Sequence, residues 1–205
     1  VGTVWLILLI LLVVLSAVAI AVGSAGYSVT EILRALFSAE KSTVKVIVMN
    51  LRLPRLLLAI MIGASLSASG ALLQSVMRNP LADPGTIGVS AGAGLGAALV
   101  IVAGVSSGLL GAFLLPTVSL AFALATVVLV VGFATRLDRS LSNTTIVLTG
   151  MGVSLFLNAI MNLLSTLSPL YAQQISLWTL GSFSSKEWSQ VYVLAPVTLL
   201  CTLFF

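Results

Sequence analysis

LRLPRLLLAIMIGASLSASGALLQSVMRNPLADPGTIGVSAGAGLG, residues 51–96, decides the fold. From Leu56 to Met77 the chain carries no charge, and at ~1.5 Å per residue it is long enough to cross a ~30 Å hydrocarbon core. Arg78 then meets the negative end of the helix dipole, and Asn79-Pro80 stops the helix, because the residue before proline avoids the α region. Asp83-Pro84 supplies an N-cap and a first-turn proline, so a new helix is expected from about Thr86. The stretch reads as two antiparallel membrane spans joined by a tight polar turn.

Composition extends that reading to the whole chain. Of 205 residues, 60% are hydrophobic and 7% charged, a balance that leaves too little polar surface for a water-soluble domain. The expected fold is an all-α, polytopic transmembrane helical bundle. Nine Lys and Arg against five Asp and Glu leave a net charge of +4 without any basic run, so no nucleic-acid partner is expected. With no histidine and one cysteine, Cys201, the chain offers no metal cluster, no imidazole-dependent triad and no intrachain disulfide. No cofactor and no catalytic residue are expected.

Working outward, spans are expected at about 4–22, 56–77, 86–105, 109–135, 146–167 and 189–205, within one membrane domain. The first lacks the basic flank of a signal peptide and exceeds the usual length of its apolar core. Residues 23–50 carry Glu31, Arg34, Glu40, Lys41 and Lys45, and Ser28-x-x-Glu31 has the form of a capping box, so this connector is expected to be partly helical at the membrane surface. Residues 168–187 hold an apolar part too short to span, flanked by Trp178 and Trp188, which suits a short surface or re-entrant helix.

Gly88, Gly92 and Gly96 recur every fourth residue, and Gly63, Ser67 and Ala71 do the same in the preceding span; such small stripes let helix backbones approach closely. Three look-alike motifs fail here. Gly88-x-Ser90-x-Gly92 needs a strand-to-helix turn and a histidine to act as a nucleophile elbow. Gly92-x-Gly94-x-x-Ala97 follows no strand and precedes no acid at ribose-binding distance. Lys186 lacks the neighbours of a Walker A lysine. In the fifth span Gly150, Ser154, Asn158, Asn162 and Thr166 form a polar stripe drifting by only ~40° per step. Two asparagines deep in a span face other helices or a wet cavity, and both interhelical bonding and a pathway lining remain open.

RLPR (Arg52–Arg55), GASLSASGALLQ (Gly63–Gln74), RNPLADPGTIGVSAGAGLGA (Arg78–Ala97) and LGSF ahead of Trp188 resemble the FecCD-type permease subunits of ATP-driven importers for iron-siderophores, haem and vitamin B12. The resemblance implies a type II importer permease fold with about six of ten helices present here, in the cytoplasmic membrane of a prokaryote. It implies as partners a second permease subunit, two ATP-binding-cassette ATPase subunits and an extracytoplasmic binding protein, with ATP hydrolysis outside this chain. By position it implies docking of the binding protein at Arg52 and Arg55, and cytoplasmic gates at Asn79 and Leu81 and at Asn143 and Thr144. It also implies a translocation pathway along Gly150, Ser154, Asn158 and Asn162. The implied orientation sets more basic residues outside than inside, against the positive-inside rule, and a docking surface accounts for that. An ion-coupled secondary transporter is the alternative, but such carriers place ionisable residues or broken helices at mid-membrane, and no acid lies mid-span here.

Overall fold

A computed structural model of the chain describes residues 2–23, 26–37, 42–80, 82–139, 142–184 and 186–203. Among them eight helices follow one another: α1 (Gly2–Ala21), α2 (Val29–Phe37), α3 (Thr43–Val76), α4 (Val89–Val102), α5 (Gly108–Leu137), α6 (Asn143–Leu167), α7 (Pro169–Leu180) and α8 (Trp188–Leu203). Of these, α1, α3 and α6, together with residues 110–137 of α5, are long and apolar enough to cross a membrane; α4 and α8 are apolar but shorter. The chain is an all-α, polytopic membrane bundle. It divides into two compact units, residues 1–68 with 183–205, and residues 69–182.

The first unit holds α1, α2, α8 and most of α3. Nothing in α1 is buried, and apolar side chains cover it on every side, as suits a helix surrounded by lipid. The capping box at Ser28 forms: its N–H donates to Glu31 Oε2 at 2.8 Å and its hydroxyl accepts from Glu31 N–H at 3.3 Å. The connector departs from the expected layout at Thr43. There, capped by the Ser42 hydroxyl at 3.2 Å from Lys45 N, a single helix begins and runs to Val76. Pro54 therefore does not open a helix; it lies buried inside one, and the preceding turn, Val48–Arg52, is π-wound to accommodate it. Further along α3, Ser65 Oγ lies 3.2 Å from Thr198 Oγ1 of α8.

In the second unit α4 is the hub, packed against α5, α6 and α7. Ala98 and Ile101 of α4 meet Ile175 of α7 in a fully enclosed cluster, with Leu115, Met161 and Trp178 around it. At ~21 Å this helix is shorter than the span expected at 86–105. The reason lies in the turn before it. Asp83 does not cap a helix; its Oδ1 accepts from Gly85 N at 2.5 Å and Thr86 N at 3.1 Å, closing an Asx turn that postpones the helix to Val89. Gly88 at φ 86° makes the switch into α4, a conformation that strongly favours glycine. The buried hydroxyls of Ser119 and Thr126 in α5 are satisfied within their own helix, by Leu115 O at 2.7 Å and Phe122 O at 2.8 Å.

Candidate functional site

Two places in the chain gather the candidate polar groups. The first is in unit one, where α1 ends against the wide turn of α3. Arg52 is half-buried, and its guanidinium donates to the Ile20 and Ala21 carbonyls at 2.5 and 3.1 Å. A cation thus closes the open carbonyls at the C-terminus of α1, where the helix dipole is negative. Gly23 leaves room for it, because a side chain there would strike the Arg52 guanidinium. Arg52 is thus bound to α1, and both arginines lie inside the continuous helix that runs from Thr43 to Val76.

Arg55 differs. It has no hydrogen-bond or ion-pair partner among the described residues, and its Nε is entirely buried. With Arg52 it borders a cavity of about 350 Å³ whose other walls include Ala19 of α1, Val22 just beyond it, Leu51 and Leu56 of α3, and Phe183. A cation on apolar walls without a counter-charge is costly, and a carboxylate entering from outside would relieve that cost.

The second place is in unit two, at the end shared by the α3–α4 and α5–α6 turns. The last turn of α3 closes with Asn79 N bonded to Gln74 O at 3.1 Å and Arg78 N to Ser75 O at 3.2 Å. This is the double bond pattern usual for a terminal glycine, here with Arg78 in the left-handed region at φ 46°. Asn79 is half-buried beside it, and Leu81 lies outside the described residues. In the second turn Ser142 caps α6 through Thr145 N at 3.3 Å, and its own N–H bonds Asp138 Oδ2 at 3.2 Å. Asn143 reaches across to donate its amide to the Met77 carbonyl, while Thr144 stays exposed.

The stripe on α6 divides in two. Gly150 is buried, and a methyl group there would collide with Thr86 O and with Ile87 Cα at 2.9 Å, so the first turn lies directly on the helix at this point. Ser154 donates to Gly150 O at 2.7 Å and lies 3.0 Å from where a Gly88 side chain would stand. These two residues pack the turn; beside them a groove of about 450 Å³ runs between Asp83, Thr86, Met151 and Leu155. Asn158 is half-buried and Asn162 exposed, and neither side-chain amide has a hydrogen bond among the described residues. Among the described residues, interhelical bonding does not explain them.

The glycine stripes also separate. A Cβ on Gly92 would strike Thr126 Oγ1 and lie 2.8 Å from Phe122 O, and one on Gly96 would lie 2.9 Å from Val118 O, so α4 and α5 touch backbone to backbone. Gly63 has nothing within 4 Å. Its stripe, with Ser67 and Ala71, is exposed, whereas Ser65, two residues on from Gly63, meets α8. Sequence reading missed Ser65, and although it set Trp188 at the interface it missed the bond from Trp188 Nε1 to Met49 O at 2.9 Å. Neither contact carries a spacing signal, since the partners lie 133 and 139 positions apart; only the folded chain brings them together.

Comparison with known proteins agrees with this architecture. The family model of the FecCD transport family matches residues 8–205. The chain belongs to the FecCD transport family. The uncharacterized ABC transporter permease protein YvrB of Bacillus subtilis (strain 168) is 43% identical over 157 residues, covering 77% of this chain and 44% of that protein. The vitamin B12 import system permease protein BtuC of Yersinia enterocolitica is 39% identical, covering 77% and 47%. The Fe(3+)-citrate import system permease protein YfmE of Bacillus subtilis is 34% identical, covering 93% and 56%. The chain thus spans about half the length of the curated relatives it matches. A solved structure described as an inward-facing metal-chelate type ABC transporter superposes with a TM-score of 0.80 at 28% identity, covering all of this chain and 61% of that one.

Proposed function

We propose that this chain forms part of the permease of an ABC importer that moves an iron-siderophore, haem or cobalamin-type chelate across the cytoplasmic membrane of a prokaryote by alternating access. In this reading it works with a second permease subunit, two ATPase subunits and an extracytoplasmic binding protein. The observation that carries the reading is the pair of amides at Asn158 and Asn162, without a partner among the described residues, in a helix long and apolar enough to span a membrane. An amide without a partner in the bilayer needs water or a solute, and a neutral donor-acceptor group offers a passing chelate hydrogen bonds without holding it by charge. Gly150 and Ser154 border the route by seating the first turn on α6.

Gating falls to the two turns, with Asn79 and Leu81 in one and Asn143 and Thr144 in the other. Asn143 fastens the second turn to the first through Met77, which leaves the exposed Thr144 as its free gating group. On the extracytoplasmic side Arg55 receives a carboxylate of the binding protein in its cavity, and Arg52 holds α1 as a wall of that cavity. The test is reconstitution of the full transporter in liposomes with its ATPases and loaded binding protein. Chelate uptake should require ATP and be stimulated by the loaded binding protein. Uptake driven by an ion gradient, with no ATP requirement, would instead make it a secondary transporter.

A further inference from the structure

We propose that Trp188 is a positioning residue: it holds the turn of α3 that ends at Arg52 in its wide, π-wound form and thereby shapes the cavity that presents Arg55. The inference rests on the docking role proposed above for that cavity. In the wide turn Leu53 N–H bonds Val48 O, one residue further back than in an α-helix. Continuing that pattern, the donor for the Met49 carbonyl would be residue 54, and residue 54 is proline, which has no N–H. The Met49 carbonyl is left without a backbone donor, and the Trp188 indole fills the vacancy at 2.9 Å.

Ordinary α winding would give Met49 the N–H of Leu53, but it would drive the Pro54 ring against the Asn50 carbonyl. Pro54 therefore opposes the narrow form, and Trp188 makes the wide form complete. Stacking on Tyr192, with ring centres 5.9 Å apart and planes at 25°, fixes the indole for this task.

The consequence for docking is geometric. Ile47, Leu51, Arg55 and Ala59 all border the one cavity, at steps of four residues. In an unbroken α-helix three such steps drift by ~120° around the axis, too far to line one wall. The wide turn takes up one extra residue and removes ~100° of that drift, which brings the four into line. Narrowing the turn would swing Ile47 off the cavity and move Arg52 away from the carbonyls of Ile20 and Ala21.

The test uses the assembled transporter with Trp188→Phe, which keeps the stacked ring and loses the N–H, with Pro54→Ala, which removes the obstacle to α winding, and with both changes. Amide hydrogen exchange across residues 48–55 reads the winding, and affinity for the binding protein reads the placement of Arg55. Trp188→Phe should alter exchange across this turn and weaken docking about fivefold, the factor for one ordinary hydrogen bond. Pro54→Ala should act in the same direction, and the double variant should be no worse than the weaker single one, because both release the same turn. Losses that simply add, or altered exchange with undiminished affinity, would overturn the role of Trp188 while leaving the docking reading intact. If Arg55→Gln leaves affinity unchanged, the docking reading itself fails and the proposal falls with it.

Discussion

Asn143, at the first position of α6, donates its side-chain amide to the main-chain carbonyl of Met77, just past the end of α3, and so binds together two turns 66 residues apart in sequence. Met77 is 4% exposed, so its carbonyl has little recourse to water. Asn143→Ala should cost about 1–3 kcal/mol, the usual penalty for an unpaired buried acceptor, and lower the melting temperature of the purified transporter. Thr144→Ala, at an exposed position without such a bond, should leave melting within about 0.5 kcal/mol of the parent. A differential scanning measurement on the two variants checks both. Equal melting of Asn143→Ala and the parent would show that the turns are not held this way.

Glycine positions that look alike in sequence should respond in opposite directions. Gly92→Ala and Gly96→Ala place a methyl group against α5 backbone and should destabilise by about 1–3 kcal/mol each through overpacking. Gly63→Ala meets open space on a helix and should be neutral or stabilising, by up to about 1 kcal/mol. Thermal melts of the three variants in one detergent make the comparison.

The contrast shows how much of the molecule was legible in its sequence. The stop of α3 at Arg78-Asn79 and the Ser28–Glu31 cap follow from local chemistry, so their structural outcome could be read residue by residue. The start of α4 could not, since Asp83 can serve equally as a helix cap or as the acceptor of an Asx turn, and the close approach of Thr86 to Gly150 is a contact that no local spacing announces. Pro54 presented the same ambiguity: a proline opens helices more often than it lies inside them, and here it follows a π-wound turn whose Met49 carbonyl takes the indole N–H of Trp188, 139 positions away. In the polar stripe, spacing showed that Gly150, Ser154, Asn158 and Asn162 share a side of α6, but what each one meets depends on the fold.

Arg52 and Arg55 should separate by phenotype. Arg52→Gln removes the cation from the carbonyls of Ile20 and Ala21 and should loosen α1, seen as faster amide exchange at its C-terminal end. Arg55→Glu should leave that end protected and instead weaken association with the binding protein, more strongly at low salt than at high. Surface plasmon resonance at two salt concentrations reads the second effect; association indifferent to Arg55→Glu would contradict docking at this cavity.

Glu31 gives a pH signature outside the membrane. The Ser28 N–H and then the Ser28 hydroxyl, with a smaller contribution from Arg34, hold its carboxyl below the usual carboxylate range. Because the folded pKa is lowered, the stabilisation of α2 is fully present above the ordinary carboxylate pKa of about 4.3 and is lost as pH falls through the folded value. Amide exchange in the first turn of α2 should therefore show constant protection from neutral pH down to about 5, then a fall in more acidic buffer, after correction for intrinsic rates. Glu31→Gln should remove the pH dependence.

Asn158 and Asn162 bear most directly on the transport proposed for this chain. Their amides bond to nothing within the described residues, so replacing both with leucine removes no internal hydrogen bond, and the folded transporter should melt within about 0.5 kcal/mol of the parent. If they line the route, ATP-driven chelate uptake by liposomes containing equal amounts of assembled Asn158→Leu, Asn162→Leu transporter should fall several-fold while assembly is retained. Uptake equal to that of the parent would contradict the pathway on α6.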